Sequence, residues 1–289
     1  MPSSMPPSSP SEIPSEGALS SLAAWSIPGS SVRVYSGESG GALYRRQLLD
    51  ILADGDNVLV RGLPTRELLN VVTHVTEPSA RCQIVPGRHL NPWLFLSEAL
   101  WILAGRDDLA ALAPYNARIA EYSDDGKRLY GAYGKRLATQ IEPALERLRA
   151  DPGDRRAVLQ IWRPGDLTAD SRDPPCNTQA MFKLRAGRLL MLVTFRSNDL
   201  HWGLHAVNLP TFSILQEYMA TQLGAALGTQ THISQSLHIY LDGPGASVTK
   251  RMLATLDEPF APLPPAAPLF PEPLPSPEKF AAWCGDTLD

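Results

Sequence analysis

DPPCNTQAMFKLRAGRLLMLVTFRSNDLHWGLHAVNLPTFSILQEYMATQ (173–222), followed by SLHIY (236–240), is the stretch that decides how this chain is read. Asp-Pro-Pro-Cys is a turn that presents a thiol, Cys176. The apolar run LLMLVTF (189–195) reads as a buried strand that delivers Arg196 to the same place. A thiol beside a fixed guanidinium has a lowered pKa, which makes it a nucleophile. Taken alone, a single cysteine is as readily a small buried side chain, so the flanking residues carry the argument.

Bulk numbers set the outer limits. With 289 residues, 44% of them hydrophobic, the chain can build one large core or two modest ones. A net charge of −4 offers no bulk attraction to DNA or RNA, so nucleic acid is not an expected partner. A local basic pocket for one phosphate is still compatible with that charge. Three cysteines, Cys82, Cys176 and Cys284, are too few and too scattered for a disulfide framework or a zinc site, and no metal is expected. A working thiol suits a reducing cytoplasm. MPSSMPPSSPSEIPSEG at the start has neither a basic region nor an apolar run, so no secretory signal is read there, and no run approaches a membrane span.

Residues 1–30, rich in Pro and Ser, read as a disordered arm, 31–257 as the catalytic domain and 258–289 as a Pro-rich tail. Nine prolines between Glu258 and Pro277 suggest extended, polyproline-like chain. Strands are expected at 32–37, 57–63, 67–78, 156–164, 189–195 and 231–241, and helices at 42–55, 91–105, 139–151, 209–228 and 250–256. Residues 108–123 read as helical in pieces. The segment 209–228 is apolar round most of its circumference, which argues a buried central helix. The elements interleave without clean βαβ units, so the fold class is α+β, a mixed β-sheet flanked by helices.

Glu98 stands out as the one acid in the apolar helix NPWLFLSEALWILAG (91–105). A carboxyl there must be satisfied or protonated. Desolvation raises its pKa, which fits a general acid/base. His74, His89, His201, His205 and His232 have no metal spacing and read as surface or structural.

PPC, about twenty residues, RSxD, a Gly, an Asn opening a long helix, then HxY: this order resembles the thymidylate synthases, and weaker matches extend the resemblance over roughly 58–242. That family transfers a one-carbon unit from 5,10-methylenetetrahydrofolate to C5 of a pyrimidine nucleoside monophosphate. The resemblance implies a homodimer packed sheet on sheet with shared active sites. It makes Cys176 the nucleophile at C6 and Glu98 the residue that organises water. Tyr133, in GAYGKR, would sit beside the nucleophile and assist proton removal from C5. Arg196 and Ser197 would bind the phosphate, together with Arg155 and Arg156 from the partner subunit and Arg61 from a loop. Asp199 and Asn208 would face the base, and Asn208 favours uracil. His238 and Tyr240 would hold the sugar 3′-hydroxyl. Asn177 stands where relatives carry His.

Three departures bear on the product. No apolar C-terminal closing segment is recognisable, Ala120 stands at a folate-packing Trp position, and the run to Asn208 is one residue longer. An open site lets water add where methylation needs water kept out. The expectation is therefore 5-hydroxymethylation, as in the hydroxymethylase branch of the superfamily. C5 methylation is the alternative, and a non-catalytic nucleotide-binding relative is the third reading.

Overall fold

The apolar run becomes strand β6 (Arg188–Phe195) of an eight-stranded mixed sheet in this computed structural model, which describes residues 32–259, 266–270 and 275–288. The other strands are β1 (Arg33–Gly37), β2 (Asp56–Val60), β3 (Leu63–Val75), β4 (Val158–Gln160), β5 (Asn177–Arg185), β7 (Asn198–Asp199) and β8 (Ala226–Tyr240). Their order across the sheet is β1-β3-β8-β6-β5-β4, with β2 paired to β3 and β7 to β8. The helices are α1 (Gly40–Asp54), α2 (Pro92–Leu103), α3 (Tyr133–Leu137), α4 (Ile141–Ala150), α5 (Leu209–Gln222), α6 (Gly243–Leu253) and α7 (Pro277–Leu288). A mixed sheet flanked by helices is the fold class that the sequence implied. The Pro/Ser-rich arm at 1–30 falls outside the described residues.

Two parts of the sheet differ from the sequence reading. β5 was not anticipated, because NTQAMFKLR has no β-branched run. It forms by pairing with β6 through a two-residue turn, Ala186 at φ 48° and Gly187 at φ 70°, a turn whose twist matches the flanking strands. The helix expected over 209–228 stops at Gln222. Gly224, at φ 59°, turns the chain, and Ala226 is taken into the sheet opposite Arg188. Parallel pairing of β1 with β3 and of β6 with β8 also gives two crossover units that the pattern did not resolve.

One face of β6 (Leu189, Met191, Val193, Phe195) is buried in a core shared with α2, α4 and α5. Every residue of α5 from Leu209 to Ala220 is buried, which is why its sequence shows no polar face. A second core joins Tyr35, Tyr44, Leu48, Val71 and Leu237 under α1 and α6. The other face of the sheet carries half-exposed Met181, Leu190, Leu192 and Ile233.

The C-terminal stretch read as tail ends in a helix. PEKFAAWCGDTL forms α7, with Phe280 and Cys284 buried against the first core. Phe280 stacks on Tyr218 of α5 at 4.7 Å, and Phe270 meets both rings. Glu217 of α5, ion-paired to buried Arg81, accepts the Leu269 N–H at 2.6 Å. The preceding prolines drew the reading away from an apolar stripe at helical spacing. We expect Phe280→Ala to cost about 3–5 kcal/mol, the range for emptying an aromatic site in a core, measurable as a lower denaturant midpoint at unchanged slope. A loss within measurement error would mean that α7 merely lies against the surface.

Candidate active site

The nucleophile candidate sits where β5 begins. Cys176 is half-buried, and its carbonyl accepts the Arg196 main-chain N–H at 3.0 Å, joining the start of β5 to the end of β6. Arg196 turns back on the same turn: Nε donates to the Pro175 carbonyl and Nη2 to the Pro174 carbonyl, each at 3.0 Å. Nη2 lies 3.9 Å from Sγ, and the guanidinium stacks over Trp162 at 5.3 Å. The fixed φ of two consecutive prolines holds both carbonyls in place for this clamp.

The expected lowering of the thiol pKa does not hold. Burial pushes Cys176 above the ordinary thiol value; Arg196 and Arg61 pull it down, but Asp173 and Asp199 push it further up. The thiol is therefore held protonated and needs a base or a bound ligand to ionise.

Acids close by are displaced in the same sense. Glu98, on α2, is raised to about 8, first by burial and then by Asp173. Asp173 is itself raised to about 6 by burial, against the pull of the Gly131 N–H, which it accepts at 2.8 Å. Tyr133 opens α3, and its hydroxyl accepts the Asn177 N–H at 3.4 Å. Its pKa is raised well above the usual value by burial, then by Cys176, Glu98 and Asp173. Cys176, Glu98, Tyr133 and Asp173 thus form one interacting group. Titratable groups displaced together by burial and by one another make this cluster the candidate functional site. Asn177 is fully buried, and neither polar atom of its amide has a partner among the described residues.

Asp199 and Asn208 lie at the two ends of a π-helix, Leu200–Asn208. The run found one residue too long is absorbed here: the Leu209 N–H reaches back five residues to the Leu204 carbonyl, the spacing of a π turn. Asp199 Oδ1 caps it, accepting the N–H groups of His201 at 2.7 Å and Trp202 at 3.0 Å. Asn208 Nδ2 donates to Asn198 Oδ1 at 3.1 Å, and Asn198 Nδ2 donates to Ser234 at 3.3 Å. Gly203 permits this, since a Cβ there would stand 2.4 Å from Asn198 Oδ1.

The parallel pairing of β7 with β8 sets Asp199 beside His238. His238 and Tyr240 share a face of β8, their rings edge-to-face at 5.3 Å. Arg61 lies at the tip of the β2–β3 hairpin, at φ 50°, and its charge acts on both Cys176 and Tyr240. Ser197 is half-buried between β6 and β7.

Arg155 and Arg156 are not in this group. They precede β4, whose neighbour Ala157 accepts the Phe182 N–H, and Lys183 Nζ donates to the Arg155 carbonyl. That level of β5 is about 20 Å from Cys176 at the usual rise per residue. Arg156 pairs with Asp154 at 3.0 Å, and Arg155 is exposed.

Sequence reasoning passed over Asp173, Asn198 and Trp162. Asp173 was quoted only as the start of the turn; an acid placed before two prolines and a cysteine was the available signal. Nothing local marked Trp162. Of the histidines read as surface or structural, His201, His205 and His232 are buried. His201 bridges Tyr44 and Thr249 at 2.8 Å each, and His205 bonds Gln47 at 2.7 Å.

Residues 42–260 match the sequence pattern described as thymidylate synthase. The chain belongs to the thymidylate synthase family. It is 38% identical over 233 residues to a deoxyuridylate hydroxymethyltransferase of Bacillus phage SP01, covering 75% of this chain and 61% of that protein. It is 37% identical over 206 residues to the protein of the same name from Pseudomonas phage M6, covering 69% of this chain and 58% of that one. A putative thymidylate synthase of Methanothermobacter marburgensis is 31% identical over 201 residues, covering 66% of this chain and 85% of that protein. The chain thus spans about three-fifths of the length of the two phage relatives. Within the thymidylate synthase fold the candidate residues gather at the end of β6, on α2 and at the start of α5.

Proposed function

We propose that this chain is an enzyme that hydroxymethylates C5 of a pyrimidine nucleoside monophosphate, with deoxyuridylate as the substrate. The observation that carries one-carbon transfer is the grouping of Cys176, Arg196, Glu98 and Tyr133 in a thymidylate synthase fold. Cys176 Sγ adds to C6 and its proton passes to a neighbouring base, so that C5 becomes nucleophilic. Glu98 holds or releases a proton near the ring O4 and the attacking water, because its raised pKa lies close to working pH. Tyr133 stays protonated and relays the C5 proton through water. The Nη1 amino group of Arg196 has no hydrogen-bond partner among the described residues, which leaves it for the phosphate, with Ser197 and Arg61.

What favours uracil is the Asn198–Asn208 pair. With its amide nitrogen oriented by Asn198, Asn208 offers Oδ1 to N3–H and its second N–H to O4. Cytosine presents the reverse pattern. His238 and Tyr240 take the sugar 3′-hydroxyl.

5,10-Methylenetetrahydrofolate, when bound, supplies a carbon at the formaldehyde oxidation level. Tyr122, exposed yet within electrostatic reach of Cys176 and Asp199, is the aromatic side chain that would hold it. Ala120, exposed on the same 3-10 helix (Ala117–Tyr122), adds no second ring. The C-terminal segment packs at the Tyr218 end of α5, about 15 Å along the helix from Asn208. That placement leaves residues 275–288 packed on the first core, which supports a site that water enters. The names of the phage relatives point the same way.

The test is to incubate the protein with methylenetetrahydrofolate and, separately, dUMP, UMP, dCMP and CMP, and to weigh the products. A gain of CH2O on dUMP is expected. A gain of CH2, with dihydrofolate formed, would instead establish the methylating reading that the archaeal relative's name suggests.

The half-exposed apolar sheet face fits a second copy packed sheet on sheet, which brings Arg155 and Arg156 to the partner's phosphate site. A doubly substituted Arg155→Ala/Arg156→Ala chain mixed with an equal amount of a Cys176→Ala chain then regains activity in heterodimers, up to about a quarter of wild type, because half of the dimers carry one intact site of two. No recovery after confirmed subunit exchange would refute shared sites. Three free cysteines suit the cytoplasm, and among the described residues no helix is long and apolar enough to cross a membrane.

A further inference from the structure

β8 presents Ser236 and His238 on one face, and the β3–β8 register sets Glu67 directly across from His238. The Ser236 hydroxyl donates to Glu67 Oε2, and Ser236 Oγ itself lies 3.4 Å from His238 Nδ1. A carboxylate oxygen only accepts, and a serine hydroxyl has one proton to give. With that proton directed at Glu67, the Ser236 oxygen has only lone pairs to offer the ring. Nδ1 must therefore carry the hydrogen in that contact. Burial lowers the ring's pKa and keeps the imidazole neutral, with one proton in all, against the pull of Asp199, Glu67 and a main-chain hydrogen bond to Ser236. Asp199 flanks the ring from β7, but its Oδ1 already accepts two main-chain N–H groups, and no hydrogen bond joins it to His238 among the described residues. Nε2 is left as a bare acceptor.

We propose that Glu67 and Ser236 are a positioning pair that locks His238 in the Nδ1–H tautomer, so that Nε2 accepts a hydrogen bond from the nucleotide sugar. The site then selects ligands that bring a donor to that point, a free 3′-hydroxyl. Groups of similar size without a proton, such as fluorine or a methyl ether, meet a lone pair and are rejected. This rests on the reading that His238 faces the sugar, and the test separates the two claims.

The full-length chain labelled with 15N-histidine is examined by long-range proton–nitrogen NMR, His238 being assigned by the signals lost in His238→Asn. Wild type and Glu67→Gln, whose amide oxygen still accepts from Ser236, show a protonated Nδ1 and a bare Nε2. Ser236→Ala and Glu67→Ala show a mixture or the opposite tautomer. A proton on Nε2 in the wild type overturns the proposal without any ligand present. Calorimetry with dUMP and its 3′-deoxy-3′-fluoro analogue then reads the consequence. The analogue binds about tenfold or more weakly to wild type, the cost of one hydrogen bond to a buried acceptor left unmade, and the gap narrows in Ser236→Ala. Equal affinities in wild type refute the acceptor role. The expected tautomer with no dUMP binding at all supports the lock and refutes the nucleotide reading beneath it.

Discussion

Cys176→Ala loses all measurable turnover, a fall of about 10⁵-fold or more if the thiol forms the covalent bond, as for other nucleophiles that act in a unit. C6 of the ring needs an electron pair from the protein before C5 can take up carbon, and sulfur is the strongest nucleophile in the group. Tyr133 is held protonated and Glu98 is protonated over most of the working range. Nucleotide affinity should stay within a few-fold, since Arg196, Asn208 and His238 are untouched; this separates chemistry from binding. A 5-fluoro substrate analogue makes the bond visible, because fluorine cannot leave C5 as a proton does. Intact-protein mass spectrometry should find the adduct in wild type and not in the variant. Turnover by Cys176→Ala at even a hundredth of the normal rate refutes the covalent route. The direction of the thiol pKa adds a pH signature. Since burial outweighs Arg196, kcat/KM climbs with pH on the alkaline side of neutrality, and Arg196→Gln moves that limb higher.

Glu98→Gln should lower kcat by about 10²- to 10⁴-fold, the usual worth of a positioned acid/base, and should also change how stability depends on pH. The folded carboxyl titrates near 8, whereas an unfolded one titrates near its ordinary value of 4.5. Between those limits the folded chain binds one proton more than the unfolded chain, so wild-type stability falls as pH rises. Glutamine has no such proton. The melting temperature of Glu98→Gln minus that of wild type should therefore grow from pH 5 to pH 8 and level off on either side. A difference independent of pH would mean that Glu98 is solvated or neutralised by a partner, and its assignment as acid/base would lapse with it.

How far the site was legible before the fold was known depended on residue type. Cys176, Arg196, Asp199, Asn208, His238 and Tyr240 lie on two neighbouring runs of chain, and their order was enough to recognise the family. Glu98 announced itself as a charge in an apolar helix. Asp173, Asn198, Glu67 and Ser236 were missed because their importance comes from what stands opposite them, and pairing is invisible in one strand read alone. The C-terminal helix was missed for a related reason: prolines dominated the local pattern, while the surface that α7 covers belongs to α2 and α5, far away in sequence.

The thiol shows the limit most clearly. Read along the chain, Cys176 beside Arg196 promised a lowered pKa, because charge type and sequence neighbours are all that a string of residues contains. The amino-acid order by itself determined the family, the mixed sheet with its buried central helix, and the chemical types gathered around Cys176. Only the tertiary structure decided the direction of the Cys176 pKa, the distance of Arg155 and Arg156 from Cys176, and the docking of α7 on the first core. Each of those depends on desolvation or on distances between strands and helices remote in sequence, quantities that come into being when the chain packs.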